Sequence, residues 1–214
     1  MMVHKEIFKN TEQWIQKKFS GDATGHDVWH IKRVVQLADK IAREEQADIF
    51  ICQMAAYLHD IPDEKLTDDI DAAKQEVLSF LDDQGISDDK IDAIWKAIKD
   101  VSFKGNHTTP ETVEGRVVQD ADRLDAIGAI GIARTFAYGG NKGSKMYEPQ
   151  TDEQHEHLAY RDSNKTTIYH FYEKLLKLKD LMNTETAKSI AESRHQFMED
   201  FLQQFYTEWK GDDC

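Results

Sequence analysis

Almost every stretch of this chain repeats its apolar residues at spacings of three and four, and only Pro62, Pro110 and Pro149 interrupt the pattern. That spacing puts apolar side chains on one face of a helix, because an α-helix turns once per 3.6 residues. Residues 4–19 carry Ile7, Phe8, Trp14, Ile15 and Phe19; residues 27–44 carry Ile31, Val34, Val35, Ala38 and Ile41. A third helix, from about Asp48 to His59, is apolar on most sides and is expected to be central. A fourth is predicted over 68–83, stopped by "DQG", and a fifth from Ser87, an N-cap, to about Ser102. Pro110 opens a long helix expected to run through Tyr138, with Gly128 and Gly131 on one side for close helix packing. Residues 139–162 show little periodicity, and two more amphipathic helices follow at about 164–182 and 184–208. No internal repeat and no convincing strand is found. With 214 residues, enough for one well-buried core, the expectation is an all-α fold: a single compact helical bundle over residues 1–214.

The charge narrows the partners. A net charge of −13 argues against a nucleic-acid polymer, whose phosphates call for basic surface. A small anionic substrate remains compatible, given a local positive centre. No apolar run approaches the roughly 20 residues of a membrane span, so no membrane partner is expected. The opening "MMVHKEIFKN" has no apolar signal region, and Cys52 and Cys214 make no disulfide framework. A cytoplasmic setting is the expectation. Nothing in the chain bears on oligomeric state.

The chemistry starts at "AAYLHDIPDEK", residues 55–65. Here an apolar helix ends in His59 and Asp60, just before Pro62 breaks it. Two adjacent polar groups at the inner end of a buried segment destabilise the fold unless something pairs with them. His26 and His30 share a helix face in "GHDVWHIKRVV", and "QDADRLDAIG" offers acids at 120, 122 and 125. Imidazole nitrogen and carboxylate oxygen together suit a divalent cation. One His from the second helix, the His–Asp pair from the third and one acid from the long helix would make four ligands.

His30 in "HIKRV", His59–Asp60 some thirty residues on, and Asp122 in "ADRL" resemble the HD-domain superfamily of metal-dependent phosphohydrolases, and within it a small stand-alone bacterial YpgQ/YedJ-like branch. The core motif covers about residues 25–140, and the tail "TTIYHFYEKLLKLKDLM" is also similar to that branch. The resemblance implies an HD-domain helical bundle with His30, His59, Asp60 and Asp122 as the metal ligands. Further histidines of a two-metal variant are not found after position 59 apart from His107, so one divalent ion is expected. Mn²⁺ is favoured, with Mg²⁺, Fe²⁺, Co²⁺ and Ni²⁺ open.

The resemblance also implies an acid four residues after the HD histidine, here Asp63 with Glu64 beside it, to position or activate the attacking water. Charge developing on phosphoryl oxygens needs cations. Lys65 is the first choice, followed by Lys104 and by Lys142 and Lys145 in "GGNKGSK", a segment that could close as a lid, a role the sequence leaves open. His26 and Asp27 are expected near the first ligand, and Tyr138 to pack the core or line a nucleobase pocket. Trp29, Trp95 and Phe136 are expected in the core. "HEH" at 155–157 lacks a third partner, and Asp125 is expected either to neighbour the ligands or to serve an arginine, with Arg123 close in sequence.

The implied activity is hydrolysis of a small phosphorylated metabolite, with nucleotides favoured. Nucleoside triphosphate pyrophosphohydrolysis comes first. A nucleoside monophosphate phosphatase, another nucleotide phosphodiesterase such as a guanosine tetraphosphate hydrolase, or a nucleotide- or metal-binding sensor without turnover are the alternatives.

Overall fold

The structure, a computed structural model, describes residues 2–19, 27–63, 67–101, 108–149 and 166–212. Among these, every regular element is helical: α1 (Met2–Lys18), α2 (Val28–Glu44), α3 (Ile49–Leu58), α4 (Ile70–Asp83), α5 (Asp88–Ile98), α6 (Val113–Asp125), α7 (Gly128–Asn141), α8 (Tyr169–Glu173) and α9 (Glu185–Lys210). Two short 3₁₀ turns, Leu175–Lys177 and Lys179–Leu181, lie between α8 and α9. The all-α expectation holds. No helix among the described residues is long and apolar enough to cross a membrane.

The chain forms two compact units: residues 1–122 with 183–187, and residues 123–182 with 188–214. In the first, α3 is the central element and packs against α1, α2 and α5. Its buried Phe50, Cys52, Met54, Ala55, Ala56 and Leu58 lie all around the helix, as the sequence pattern required. Truncating a fully buried side chain such as Met54 would cost about 2–5 kcal/mol. Burial also pushes the Cys52 thiol well above its ordinary range, so it is a packing group. Asp48 caps α3, its Oδ1 accepting from Phe50 N (2.9 Å) and Ile51 N (3.1 Å). Against this core α2 sets one apolar stripe, Ile31, Val34, Val35, Ala38, Ile41 and Ala42.

Helix ends follow local chemistry. Gly85 takes φ +68° after α4, and Gln46 takes φ 56° after α2, the two left-handed closures among the described residues of this unit. Ala47 N then donates to Ala42 O (3.0 Å) and satisfies a carbonyl of the last turn. Ser87 stands at the N-cap of α5, though its side chain makes no capping bond, and α5 ends at Ile98 rather than near Ser102.

The long helix expected from Pro110 to Tyr138 is two helices. Pro110 lies ahead of the start, and Thr112 Oγ1 accepts from Gly115 N (3.0 Å) at the entry of α6. The break follows Asp125. Ala126 N and Ile127 N bond back to Arg123 O and Leu124 O at 3.1 and 3.2 Å, tightening the last turn, and Ile127 is extended. Gly128 takes φ +78°, so it turns the chain, and it also allows the close packing expected of it: a Cβ there would stand 3.0–3.3 Å from the Arg194 side chain of α9.

In the second unit, Phe171 and Phe201 stack at 5.9 Å, with Phe136 at 6.2 and 6.0 Å from them. The helix expected over 164–182 is α8 plus the 3₁₀ turns from residue 169 onward; residues 164 and 165 lie outside the described ones. Ahead of it, Thr167 N and Ile168 N donate to Lys145 O and Met146 O at 2.9 and 3.0 Å, which holds the chain off a helical path. The buried Leu175 and Leu178 are three apart, the spacing a 3₁₀ helix places on one side.

Candidate metal centre

Three helix ends deliver the site. Asp27 is the N-cap of α2, and its Oδ1 accepts from His30 N at 2.8 Å. The cap sets the first turn and with it the direction of the His30 side chain, which is 1% exposed. His59 is the C-cap of α3, and Asp60 follows it in the turn closed by Ile61 N to Leu58 O (3.1 Å) and Asp63 N to Asp60 O (3.2 Å). That turn lets two adjacent side chains converge where a continuing helix would spread them by about 100°. Asp122 comes from the last turn of α6 and keeps its carboxylate 28% exposed, which gives the buried cluster its contact with solvent.

The donor atoms meet. His30 Nε2 lies 3.5 Å from Asp60 Oδ2 and 3.4 Å from Asp122 Oδ1. His59 Nε2 lies 3.2 Å from Asp60 Oδ1 and 3.7 Å from Asp122 Oδ1. His30, His59 and Asp122 each offer a ligand atom within 4.8 Å of the others. Donors held about 2.1 Å from one divalent ion stand roughly 3.0–3.5 Å apart, so the spacing fits a shared ion.

His59 supplies a second test of fit. Its Nδ1 sits 2.9 Å from Ala56 O, an arrangement in which Nδ1–H donates and the Nε2 lone pair faces the cluster. Nε2 is fully buried and reaches hydrogen-bond geometry with no group among the described residues. Burial disfavours the charged ring, yet the carboxylates of Asp60 and then Asp122 outweigh it and push its pKa up to about 10. The pocket therefore demands positive charge, and a divalent ion meets that demand.

The other expected residues are placed as follows. Asp63 is 6% exposed, in the turn three residues after Asp60, and its carbonyl accepts from Thr67 N (3.1 Å). Tyr138, Lys142 and Lys145 belong to the second unit. Tyr138 is 52% exposed, which overturns its place in the core; Lys142 Nζ lies 5.7 Å from its ring centroid. Lys145 pairs with Glu148 at 2.9 Å. Trp29 is also not a core residue. It is 65% exposed, with Lys32 Nζ 5.2 Å over its ring, because capping at Asp27 turns His30 inward and its neighbour outward. His26, Glu64, Lys65, Lys104, His107 and the 155–157 "HEH" lie outside the described residues.

Asp125 serves an arginine: its Oδ2 accepts from Arg134 Nη1 at 2.6 Å. Sequence reasoning passed over Asp120, which is fully buried and accepts five hydrogen bonds from Asn183 and Thr184. The available signal was "NT" immediately before a helical pattern, which marks a cap without saying what faces it.

The HD domain family model matches residues 28–127. YpgQ of Bacillus subtilis (strain 168) is 41% identical over 216 residues, covering 98% of each chain. The crystal structure of B. subtilis YpgQ in complex with ADP aligns with a TM-score of 0.77 at 39% identity, over 94% of this chain and 96% of that one. An HD-superfamily hydrolase from Bacillus thuringiensis aligns at 0.78 and 41% identity, over 97% and 98%.

Proposed function

The chain belongs to the HD domain family and is a metal-dependent phosphohydrolase, and from that premise we propose that its substrate is a nucleotide, specifically a nucleoside triphosphate hydrolysed to the monophosphate and pyrophosphate. The observation that carries the reading is the cluster of His30, His59 and Asp122, whose ligand atoms lie within 4.8 Å of one another, with one Asp60 oxygen 3.5 Å from His30 Nε2 and the other 3.2 Å from His59 Nε2. The ADP held by YpgQ, a close relative, supports a nucleotide as the ligand.

His30, His59, Asp60 and Asp122 would hold one divalent ion, Mn²⁺ by preference. When bound, the ion supplies Lewis acidity, drawing charge from a phosphoryl oxygen and making water a stronger nucleophile at neutral pH. The Nδ1–H of His59, held on Ala56 O, keeps its ring in one tautomer and orientation. Asp63, assisted by Glu64, accepts the proton of the attacking water as its oxygen bonds to the α-phosphorus and pyrophosphate leaves. Lys65 is the first of the cations assigned to the phosphates, with Lys104 after it. His26 and Asp27 stand beside the first ligand in sequence.

The test is product analysis. Chelated, Mn²⁺-reloaded protein is incubated with ribo- and deoxynucleoside tri- and monophosphates and guanosine tetraphosphate, with His59→Ala as the control. Metal-dependent monophosphate plus pyrophosphate, absent in the control, is the expected result. Inorganic phosphate released from monophosphates would make the protein a phosphatase, and binding without product would make it a sensor.

A further inference from the structure

We propose that the first turn of α9, residues 183–187, is the positioning element of the metal centre, acting through Asp120 on the ligand Asp122; this rests on the metal-centre reading above. Asp122 is the only one of the four ligands on the last turn of a helix that then breaks, and it is the most exposed. Ala126 N and Ile127 N close that turn on Arg123 O and Leu124 O, but the helix ends three residues after Asp122, so little helix lies beyond it to fix its place. A ligand placed there needs an outside anchor to stay 3.4 Å from His30 Nε2.

The anchor is two residues back. Thr184 Oγ1 donates to Asp120 Oδ2 at 2.7 Å, and Thr184 N donates to the same oxygen at 2.8 Å. Asn183 N and Nδ2 donate to Asp120 Oδ1 at 2.9 and 2.8 Å, and Asn183 N also reaches Oδ2 at 3.1 Å. Asn183 Nδ2 further donates to Gln119 Oε1 at 3.0 Å, and Gln119 Nε2 bonds Asp100 O (2.8 Å) and Thr108 O (3.0 Å). The same turn grips α2: Thr186 N donates to Glu45 Oε1 at 2.8 Å. Two carboxylates from two ligand-bearing helices thus meet the N–H groups at one helix start, where the helix dipole favours negative charge. Thr184 Oγ1 also accepts from Ala187 N at 3.3 Å, so one hydroxyl caps α9 and holds Asp120.

The geometry separates the two grips. Glu45 lies fifteen positions from His30 and can only set the tilt of α2. Asp120 lies within one turn of Asp122 and sets the ligand itself. Asp120, Asn183 and Thr184 are therefore positioning residues, and their effect is read in metal affinity.

The experiment uses the full chain and Mn²⁺ alone. Affinity is measured by titration calorimetry on the wild type, Thr184→Val, Thr184→Ser and Val77→Ala, a core truncation in α4 that controls for lost stability. Thr184→Val should weaken Mn²⁺ by about fivefold or more, somewhat less than the roughly 10–100-fold lost when a ligand's own hydrogen-bond partner is removed, since Thr184 acts one residue further out. Thr184→Ser, which keeps the hydroxyl, should stay near the wild type, and so should Val77→Ala although its melting temperature falls. Equal affinity in Thr184→Val and the wild type would overturn the inference, and so would an equal loss in Val77→Ala. A wild type that binds no Mn²⁺ would instead overturn the metal centre, and the inference with it.

Discussion

His59 does two things with one ring: Nδ1 is spent on Ala56 O, and that leaves Nε2 for the cluster. His59→Ala should therefore abolish stoichiometric Mn²⁺ by elemental analysis and lower kcat/KM by at least about a hundredfold, since losing even a ligand's support costs 10–100-fold. The three acids of "QDADRLDA" divide the labour differently. Asp122 faces the histidines, Asp120 anchors residues 183 and 184, and Asp125 pairs with Arg134. Asp125→Asn should lower stability by about 1–3 kcal/mol in urea denaturation while leaving Mn²⁺ stoichiometry intact, because Arg134 loses its counter-charge but keeps part of its solvent access. The family resemblance picks out 122 among the three acids, and an arginine is expected for 125. The sequence could not find the partner of 120, because that partner is 63 residues away and nothing local encodes so distant a bond. Trp29 shows the opposite failure. Its aromatic bulk argued for the core, but one turn of helix phase, set by Asp27, decided its exposure.

Helix interiors were legible because their period is intrinsic, and helix ends were legible only where a residue type forces them. "DQG" after α4 is such a case: Gly85 takes the left-handed conformation that closes the helix. Gln46 occupies the same position after α2 without being glycine. Gln46→Gly should therefore stabilise the fold by up to about 1 kcal/mol, seen as a higher urea midpoint with an unchanged m-value. The break between α6 and α7 was missed because Ala126 and Ile127 continue the apolar pattern in sequence, although the backbone is extended at Ile127 and takes a positive φ at Gly128. A glycine that matters for space rather than φ is Gly139 in α7. A Cβ there would stand 2.3 Å from Thr167 Oγ1. Gly139→Ala should lower the melting temperature by several degrees, and pairing it with Thr167→Ser should leave that loss in place, since the hydroxyl oxygen itself is what the methyl meets.

For the whole molecule, the proposed ligand set at positions 30, 59, 60 and 122 would couple metal to stability. Mn²⁺ at a hundred times its Kd should stabilise the native state by about 2.7 kcal/mol, and chelation should remove that gain in a thermal melt. A helical protein in which the cluster is only a satisfied core pair would melt at the same temperature with and without Mn²⁺. The three helix ends that supply the donors have a further consequence, one in time. The ends come together only after loops of about thirty and sixty residues have closed, and contacts across such separations form late in folding. The ion then has nothing to bind until the barrier is crossed. Mn²⁺ in the refolding buffer should leave the folding rate unchanged and slow unfolding in proportion to its whole stabilisation, which would make the metal a kinetic lock rather than a folding template.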